Sequence, residues 1–375
     1  MRYRVPARFS RRAREVTLRV LALVPYPEGR APGQRYRIEQ WAPLMQHDRV
    51  EVVVSPFLSS PAMDVLYGAG YSWTKAWGTL RGYARRIREA LGRGSYDVVF
   101  VYREAALLGP AWIEALIARR LPIVFDFDDA IYLPTASPAN AWSVALKPPG
   151  KAAAICRLAR HVTVGNDTLA RFATPVSRAV TVVPSTIDTV VYAVSPRPDN
   201  PWPVVGWTGS ATTLPHLERL IPALIRLREL VEYRLRVIGP RISAPGLDLE
   251  WLPWSVETEV QDLRPLDVGL MPLPDDEWSR GKCGMKALQY MALGVPPVVS
   301  PVGANTTIVQ DGVNGFHARD DGEWVEKIRC LLRDATLRRR LGAEARRTIE
   351  ERYSARIHAP RMASVLREAA ECGAA

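Results

Sequence analysis

Two periods of apolar residues alternate along this chain. Near-continuous apolar runs at Val16–Val24, Val50–Val54, Tyr96–Tyr102, Leu121–Phe127, His161–Val164 and Ala179–Val183 have the length of strands buried on both faces. Pro203–Gly206, Leu235–Ile238, Leu249–Leu252 and Val268–Met271 repeat the pattern in the second half. Helical stretches stand between them. Trp73, Trp77, Leu80, Ala84, Ile87 and Leu91 step by four and three and so share one helix face. Lys75, Arg81, Arg85 and Arg88 occupy much of the remaining surface. Such an apolar face is ordinarily core, and a basic amphipathic helix also fits an anionic bilayer surface. Glu323–Glu371 is expected to be helical apart from breaks such as Gly342 and Pro360. This alternation predicts an α/β protein, and Ser195–Trp202, with three prolines, has a linker's composition.

The densest signal is the stretch Ser279–Gly303, which reads as loop, helix, stop, strand and second glycine loop. Gly281 and Gly284 keep the first loop free of bulk, so its amides can face a ligand. Ala287, Leu288, Met291 and Ala292 recur at helical spacing, and Gly294 and Pro296 end the helix. Arg280, Lys282 and Lys286 crowd the positive end of that helix, a combination suited to a phosphate. Gly206–Ser210 is a further glycine loop between strand and helix, with Gly209 and Ser210 as candidate contacts; Thr208–His216 carries no lysine or arginine. Leu121–Phe127 runs into Asp126, Asp128 and Asp129, at the end of a parallel strand where open α/β sheets place ligands. Those carboxylates could hold a divalent metal as Asp126-x-Asp128 or face a ligand cleft without one. Arg35 and Arg37 follow the first strand and its proline- and glycine-rich turn, at a helix start.

Composition narrows the class. At 375 residues the chain is long enough for two domains, and 47% apolar with 24% charged residues suits a globular protein. The four cysteines show no ligand-pair spacing, which points to a reducing, cytoplasmic setting. The longest uncharged run, Ala287–Gln310, carries Gly294, Pro296, Pro297 and Pro301, so no membrane span is expected. Charge is lopsided. Residues 1–200 hold 27 basic and 16 acidic side chains, residues 201–375 hold 23 of each, and residues 1–15 alone hold six arginines. An acidic partner for the first half follows: an acidic or lipid-linked acceptor, or peripheral contact with an anionic membrane at its inner face. No nucleic-acid motif accompanies the charge, so nucleic acid is not expected.

Gly281-Lys282-Cys283-Gly284 followed by Gln289-Tyr290-Met291-Ala292-Leu293-Gly294-Val295-Pro296 resembles the donor segment of the family 4 glycosyltransferases, Glu-x-Phe-Gly, four residues, then Glu-Ala-Met-Ala-x-Gly-x-Pro. Pro184–Tyr192 and Asp311–Phe316 resemble the family's domain-crossing segment and later turn. Both motif glutamates are replaced, by Gly281 and Gln289. The resemblance implies a GT-B fold, two doubly wound Rossmann-like domains facing a cleft. Residues 1–195 would form the acceptor domain, 196–355 the donor domain, and 356–375 a last helix able to return to the first. It also implies a retaining transferase that takes a nucleotide-sugar donor and needs no metal or other cofactor. Arg280, Lys282, Gly284, Met285, Lys286 and Gln289 would then meet the donor with Gly209, Ser210 and the Gly303, Ala304, Asn305 and Thr306 loop. Asp126, Asp128 and Asp129, with Lys282, would be the catalytic candidates, and Arg35 and Arg37, in the family's first loop, the acceptor-side ones. A binder of nucleotide sugars without catalysis, or a metal-dependent transferase, are the alternatives.

Overall fold

A computed structural model describes residues 17–66, 72–92, 96–133, 148–195 and 202–371. The basic stretch 1–15 and most of the linker lie outside them. The strands are β1 (Leu18–Val24), β2 (Val50–Pro56), β3 (Val98–Tyr102), β4 (Ile123–Phe127), β5 (His161–Val164), β6 (Val180–Val182), β7 (Val204–Thr208), β8 (Arg234–Ile238), β9 (Leu249–Leu252), β10 (Val268–Met271), β11 (Pro297–Val299) and β12 (Phe316–His317). They build two parallel six-stranded sheets, ordered β2-β1-β3-β4-β5-β6 and β12-β11-β10-β7-β8-β9. Each sheet has an apolar core on either face, which is why its strands read as unbroken apolar runs. This is the GT-B architecture that the sequence predicts.

The chain crosses back at its end. Ile187, just past the first sheet, forms a parallel bridge with Ser354. The helix Ala355–Glu371 then packs Met362, Val365 and Leu366 into the first domain's core beside Val20, Ile38 and Trp41. Arg346 ties the crossing together by donating to the carbonyls of Thr189, Tyr192 and Ala292. The expected breaks at Gly342 and Pro360 do not occur. Both lie inside helices, and the chain turns instead at Asp334, which caps Ala335–Thr348, and at Ser354.

The helix Ser72–Leu91 forms with the opposite face inward from the ordinary expectation. Gly78, Gly82, Arg86 and Ala90, four apart, are buried, while Trp73, Trp77, Leu80 and Leu91 face outward. The small residues allow the close approach: a Cβ on Gly78 would stand 2.7 Å from that of Ala62, and one on Gly82 2.8 Å from the Phe57 ring. Arg86 secures it. Its guanidinium donates to the carbonyls of Val24, Ser55 and Ala105, to Ser55 Oγ and to Glu89. Carbonyls left free at strand ends need donors, and five N–H groups on one side chain supply them. Among the described residues no helix is long and apolar enough to cross a membrane.

Candidate functional site

Segments just past the carboxyl ends of β4 and β5 meet the loop Gly281–Gly284, which follows β10 and so bridges the two domains. Asn166, capping Asp167–Ala173 through its Oδ1, donates from Nδ2 to the carbonyls of Gly281 (2.9 Å) and Lys282 (3.1 Å). The Cys283 thiol donates to the Asp128 carbonyl at 3.2 Å and fills the space left by Gly165. Burial pushes that thiol's pKa up, so it is packing rather than a nucleophile. Gly281 is required by close packing: a Cβ there would lie 2.8 Å from the Ala130 Cβ. The glutamate that the family pattern places here has no room in this arrangement.

On one side of the bridge stand Lys282, Lys286 and His216. The Lys282 ammonium sits 3.3 Å from the centre of the Trp278 ring, and the Lys286 ammonium 5.6 Å from that of Trp207. Neither has a carboxylate within ion-pair distance or a hydrogen-bond acceptor among the described residues, and each is half-buried. Burial and the Lys282 charge push the Lys286 pKa down to about 7, and burial also lowers that of Lys282. His216, 6.1 Å from Trp278 between ring centres, has both ring nitrogens buried without a partner. Burial and the neighbouring lysines hold its pKa at about 4, so it is neutral. Uncompensated cations held beside aromatic rings near the first domain's Asp129 are the chemistry of an anion site. Lys286 thus reaches Trp207 in the first strand of the second domain, while the Gly209–Ser210 loop that follows carries no cation of its own. Gly209 itself packs on Trp207, and Ser210 is exposed.

The facing wall belongs to the first domain. Asp128 accepts from Tyr102 (2.8 Å) and from both Nε (3.1 Å) and Nη2 (2.8 Å) of Arg103. Burial alone would raise its pKa, but Arg103 and Arg37 hold it below the usual carboxylate range. Asp129 lies 3.8 Å from Arg103 and is partly exposed. Arg103 has φ 61°, a left-handed conformation that costs energy in any residue but glycine, and so marks a constrained site. Gly33 passes directly over this group, where a Cβ would meet Tyr102, Asp128 and Arg103.

Several predicted residues are placed elsewhere. Asp126 and Arg37 are both fully buried and face each other: Arg37 Nη2 and Nε reach the carboxylate at 2.5 and 3.0 Å, Thr163 donates at 2.6 Å, and Arg37 also donates to the Val183 carbonyl. A carboxylate closed off in this way cannot orient an acceptor, nor can that arginine meet one. Arg35 and Gln289 join an interdomain network instead. Glu259 accepts from Arg35, from Tyr192 (2.6 Å) and from Trp254 (2.9 Å), while Gln289 donates to the hydroxyls of Tyr36 (2.9 Å) and Tyr192 (3.1 Å). Replacing Gln289 by glutamate, as the family pattern would have it, is expected to destabilise the fold by about 1–3 kcal/mol, because two tyrosine hydroxyls lose their donor beside the Glu259 charge. Thermal denaturation of Gln289→Glu reads this directly, and an unchanged or raised midpoint would mean that a carboxylate is accommodated.

Arg280, Gly303, Ala304 and Thr306 lie on the other side of the bridge, lining a cleft of about 720 Å³ with Asn166, Arg171, Arg352 and Arg361. Arg280 is exposed and paired with Asp275 at 2.6 Å. Gly303, at φ 56°, brings its backbone against that of Arg280, where a Cβ would lie 2.7 Å from the Arg280 carbonyl. Asn305 is buried and donates to Ser300. Gly284 caps the helix Met285–Ala292 at φ 69°, and Met285 packs on the second core. Arg103, His216, Trp278, Gly33 and Asn166 were not among the sequence-based candidates. Arg103, just past a parallel strand, was open to the same rule that singled out the aspartates.

Comparison with known proteins agrees with this fold. Residues 203–334 match the family described as Glycosyl transferases group 1. A D-inositol 3-phosphate glycosyltransferase of Stackebrandtia nassauensis is 30% identical over an alignment of 201 positions that covers 44% of this chain and 44% of that protein. Over nearly the whole fold the chain resembles a sucrose-phosphate synthase from Thermosynechococcus elongatus, with TM-score 0.68, 15% identity and coverage of 93% and 98%. It also resembles Anabaena HepE in complex with UDP-glucose, with TM-score 0.66, 16% identity and coverage of 94% and 100%. The chain is thus a GT-B protein whose second domain matches the group 1 glycosyl transferases.

Proposed function

We propose that this protein transfers a sugar from a nucleotide-sugar donor to an acceptor hydroxyl, with retention at the anomeric carbon and without a divalent metal. The observation that carries the reading is the pair of lysines, Lys282 and Lys286, held between the domains with no carboxylate of their own among the described residues. When the bond between the anomeric carbon and the diphosphate breaks, negative charge grows on the leaving phosphate, and cations fixed in place beforehand stabilise it most. Asp129, facing the same space and held only by a long 3.8 Å pair with Arg103 and by the Ala130 amide, is the carboxylate that would orient the incoming hydroxyl. The acceptor is acidic or lipid-linked, in keeping with the basic excess of residues 1–200. Metal independence draws on the Asp126-x-Asp128 pair: Arg37 engages both oxygens of Asp126, and Arg103 and Tyr102 engage Asp128 through Oδ1.

A second reading, a nucleotide-sugar binder without catalysis, draws on the same geometry. Gly281 has no room for a carboxylate and Gln289 is enclosed among tyrosines. A thermal-shift screen of nucleotide sugars, starting with UDP-glucose as the ligand in the HepE complex, tests binding, because a ligand of the native state raises the melting point. Donor turnover then separates the readings. Activity is expected to survive EDTA. Complete loss restored by manganese would return the role to Asp126 and Asp128, and binding with no turnover or hydrolysis in any acceptor mixture would favour the binder.

A further inference from the structure

The Ser72–Leu91 helix carries an outward apolar face that nothing else in the described structure covers. Trp73 is 89% exposed, Trp77 56% and Leu80 59%. At about 100° per residue, Trp73, Ala84 and Leu91 point the same way, and Trp77 and Leu80 lie within about 40° of them. Arg88 and Arg81 flank the stripe, also exposed, with the Arg81 guanidinium 5.2 Å from the Trp77 ring centre. Trp112, on the neighbouring helix, adds a further exposed indole and stacks on Tyr83 at 5.7 Å.

We infer that this face docks on an anionic lipid bilayer. Charge complementarity selects that occupant. The helices Ser72–Leu91 and Trp112–Ala118 hold one carboxylate each, and both turn inward: Glu89 is bonded by Ser55 and Arg86, and Glu114 is buried against the Ala105 amide. The outward surface therefore combines indoles and a leucine with guanidinium groups and no acid on either helix. Indoles suit the level of the lipid headgroups, and arginines beside them meet the phosphates. The docking element is rigidly held, since buried Arg86 pins it to carbonyls at the carboxyl ends of β1 and β2 and just past β3. Trp73 lies 13 residues before Arg86, about 20 Å along the helix, and so stands beyond the strand ends on the side of the cleft. A surface held there sets the cleft mouth beside the bilayer. The inference does not rest on the proposed transfer reaction, because its test reads attachment alone.

The test is co-sedimentation of the full chain with vesicles of phosphatidylglycerol and phosphatidylcholine, and with phosphatidylcholine alone. Binding to the anionic vesicles at low salt is expected, falling as salt approaches about 0.5 M. Trp73→Ser with Trp77→Ser and Leu80→Ser should weaken it at least about tenfold, as the apolar insertion is removed. Arg81→Glu with Arg88→Glu should weaken it about tenfold or more at low salt and less at high salt. All five side chains are exposed, so the melting point should hold in both variants. Because both retain the arginine-rich residues 1–15, attachment through that stretch alone would leave the variants binding like the parent, and this result would overturn the inference. Equal binding to neutral vesicles would overturn it as well. So would a dimer in solution that the triple substitution splits, since that assigns the face to a second copy.

Discussion

Replacing Lys286 by alanine is expected to weaken binding of a nucleoside diphosphate about 10- to 100-fold and to leave binding of the bare nucleoside little changed. The lysine–phosphate interaction that this substitution removes is charge-assisted, worth about 1.5–3 kcal/mol. Lys282→Ala should behave alike, and Arg280→Ala much less so, because Arg280 is exposed and already spends its charge on Asp275. The pH dependence is a sharper mark. With its pKa near 7 in the free protein, Lys286 is half-neutral at neutral pH. A diphosphate favours the charged form and raises that pKa, so binding takes up a proton above about pH 7. Affinity should then fall with rising pH until the raised pKa is passed, by up to about tenfold per unit. Calorimetry in two buffers of different ionisation enthalpy measures the proton directly. Equal losses for diphosphate and nucleoside, or no proton uptake at pH 8, would remove the phosphate assignment.

The second large effect concerns stability. Asp126→Ala is expected to cost about 3–5 kcal/mol, because it leaves the Arg37 guanidinium fully buried with no carboxylate to meet it. Arg37→Met should cost a similar amount by stranding Asp126. Combining Arg37→Met with Asp126→Val should recover much of the loss, since an ion pair replaced on both sides by apolar groups strands no charge. Urea denaturation of the three variants reads the cycle. A soluble Asp126→Ala protein with parental stability and no transfer would instead make Asp126 a catalytic group.

These two pairs show where sequence reasoning reaches and where it stops. Asp126, Asp128 and Asp129 stand together in the chain and look equivalent there. In a strand, neighbours alternate in direction, but which direction is closed depends on what packs above. Arg37, 89 positions away, covers Asp126, whereas Arg103 holds Asp128 beside the cleft. Gln289 reads as a donor contact because its neighbours fit the family's motif. Its partners, Tyr36 and Tyr192, come from the first domain and the crossing segment, and no local pattern announces them.

The outward turn of the Ser72–Leu91 helix has the same origin. Helical period identifies an apolar stripe correctly, but it says nothing of which face approaches the rest of the protein most closely. Gly78 and Gly82 look like weak points in a helix, yet they are its packing surface, and Arg86 looks like one more surface charge until three separate segments present their carbonyls to it.

What the sequence determined by itself is the order of strands and helices, the parallel α/β character, the glycine loops and the concentration of basic residues before and within the Ser279–Gly303 stretch. These depend on period and backbone freedom, which act over a few residues. What only the tertiary structure decided is which charges cancel and which remain unmatched. Lys282 and Lys286 are left over as cations because every nearby carboxylate is held by an arginine or set apart from them, and that outcome depends on pairings between residues far apart in the chain, where burial makes each one decisive.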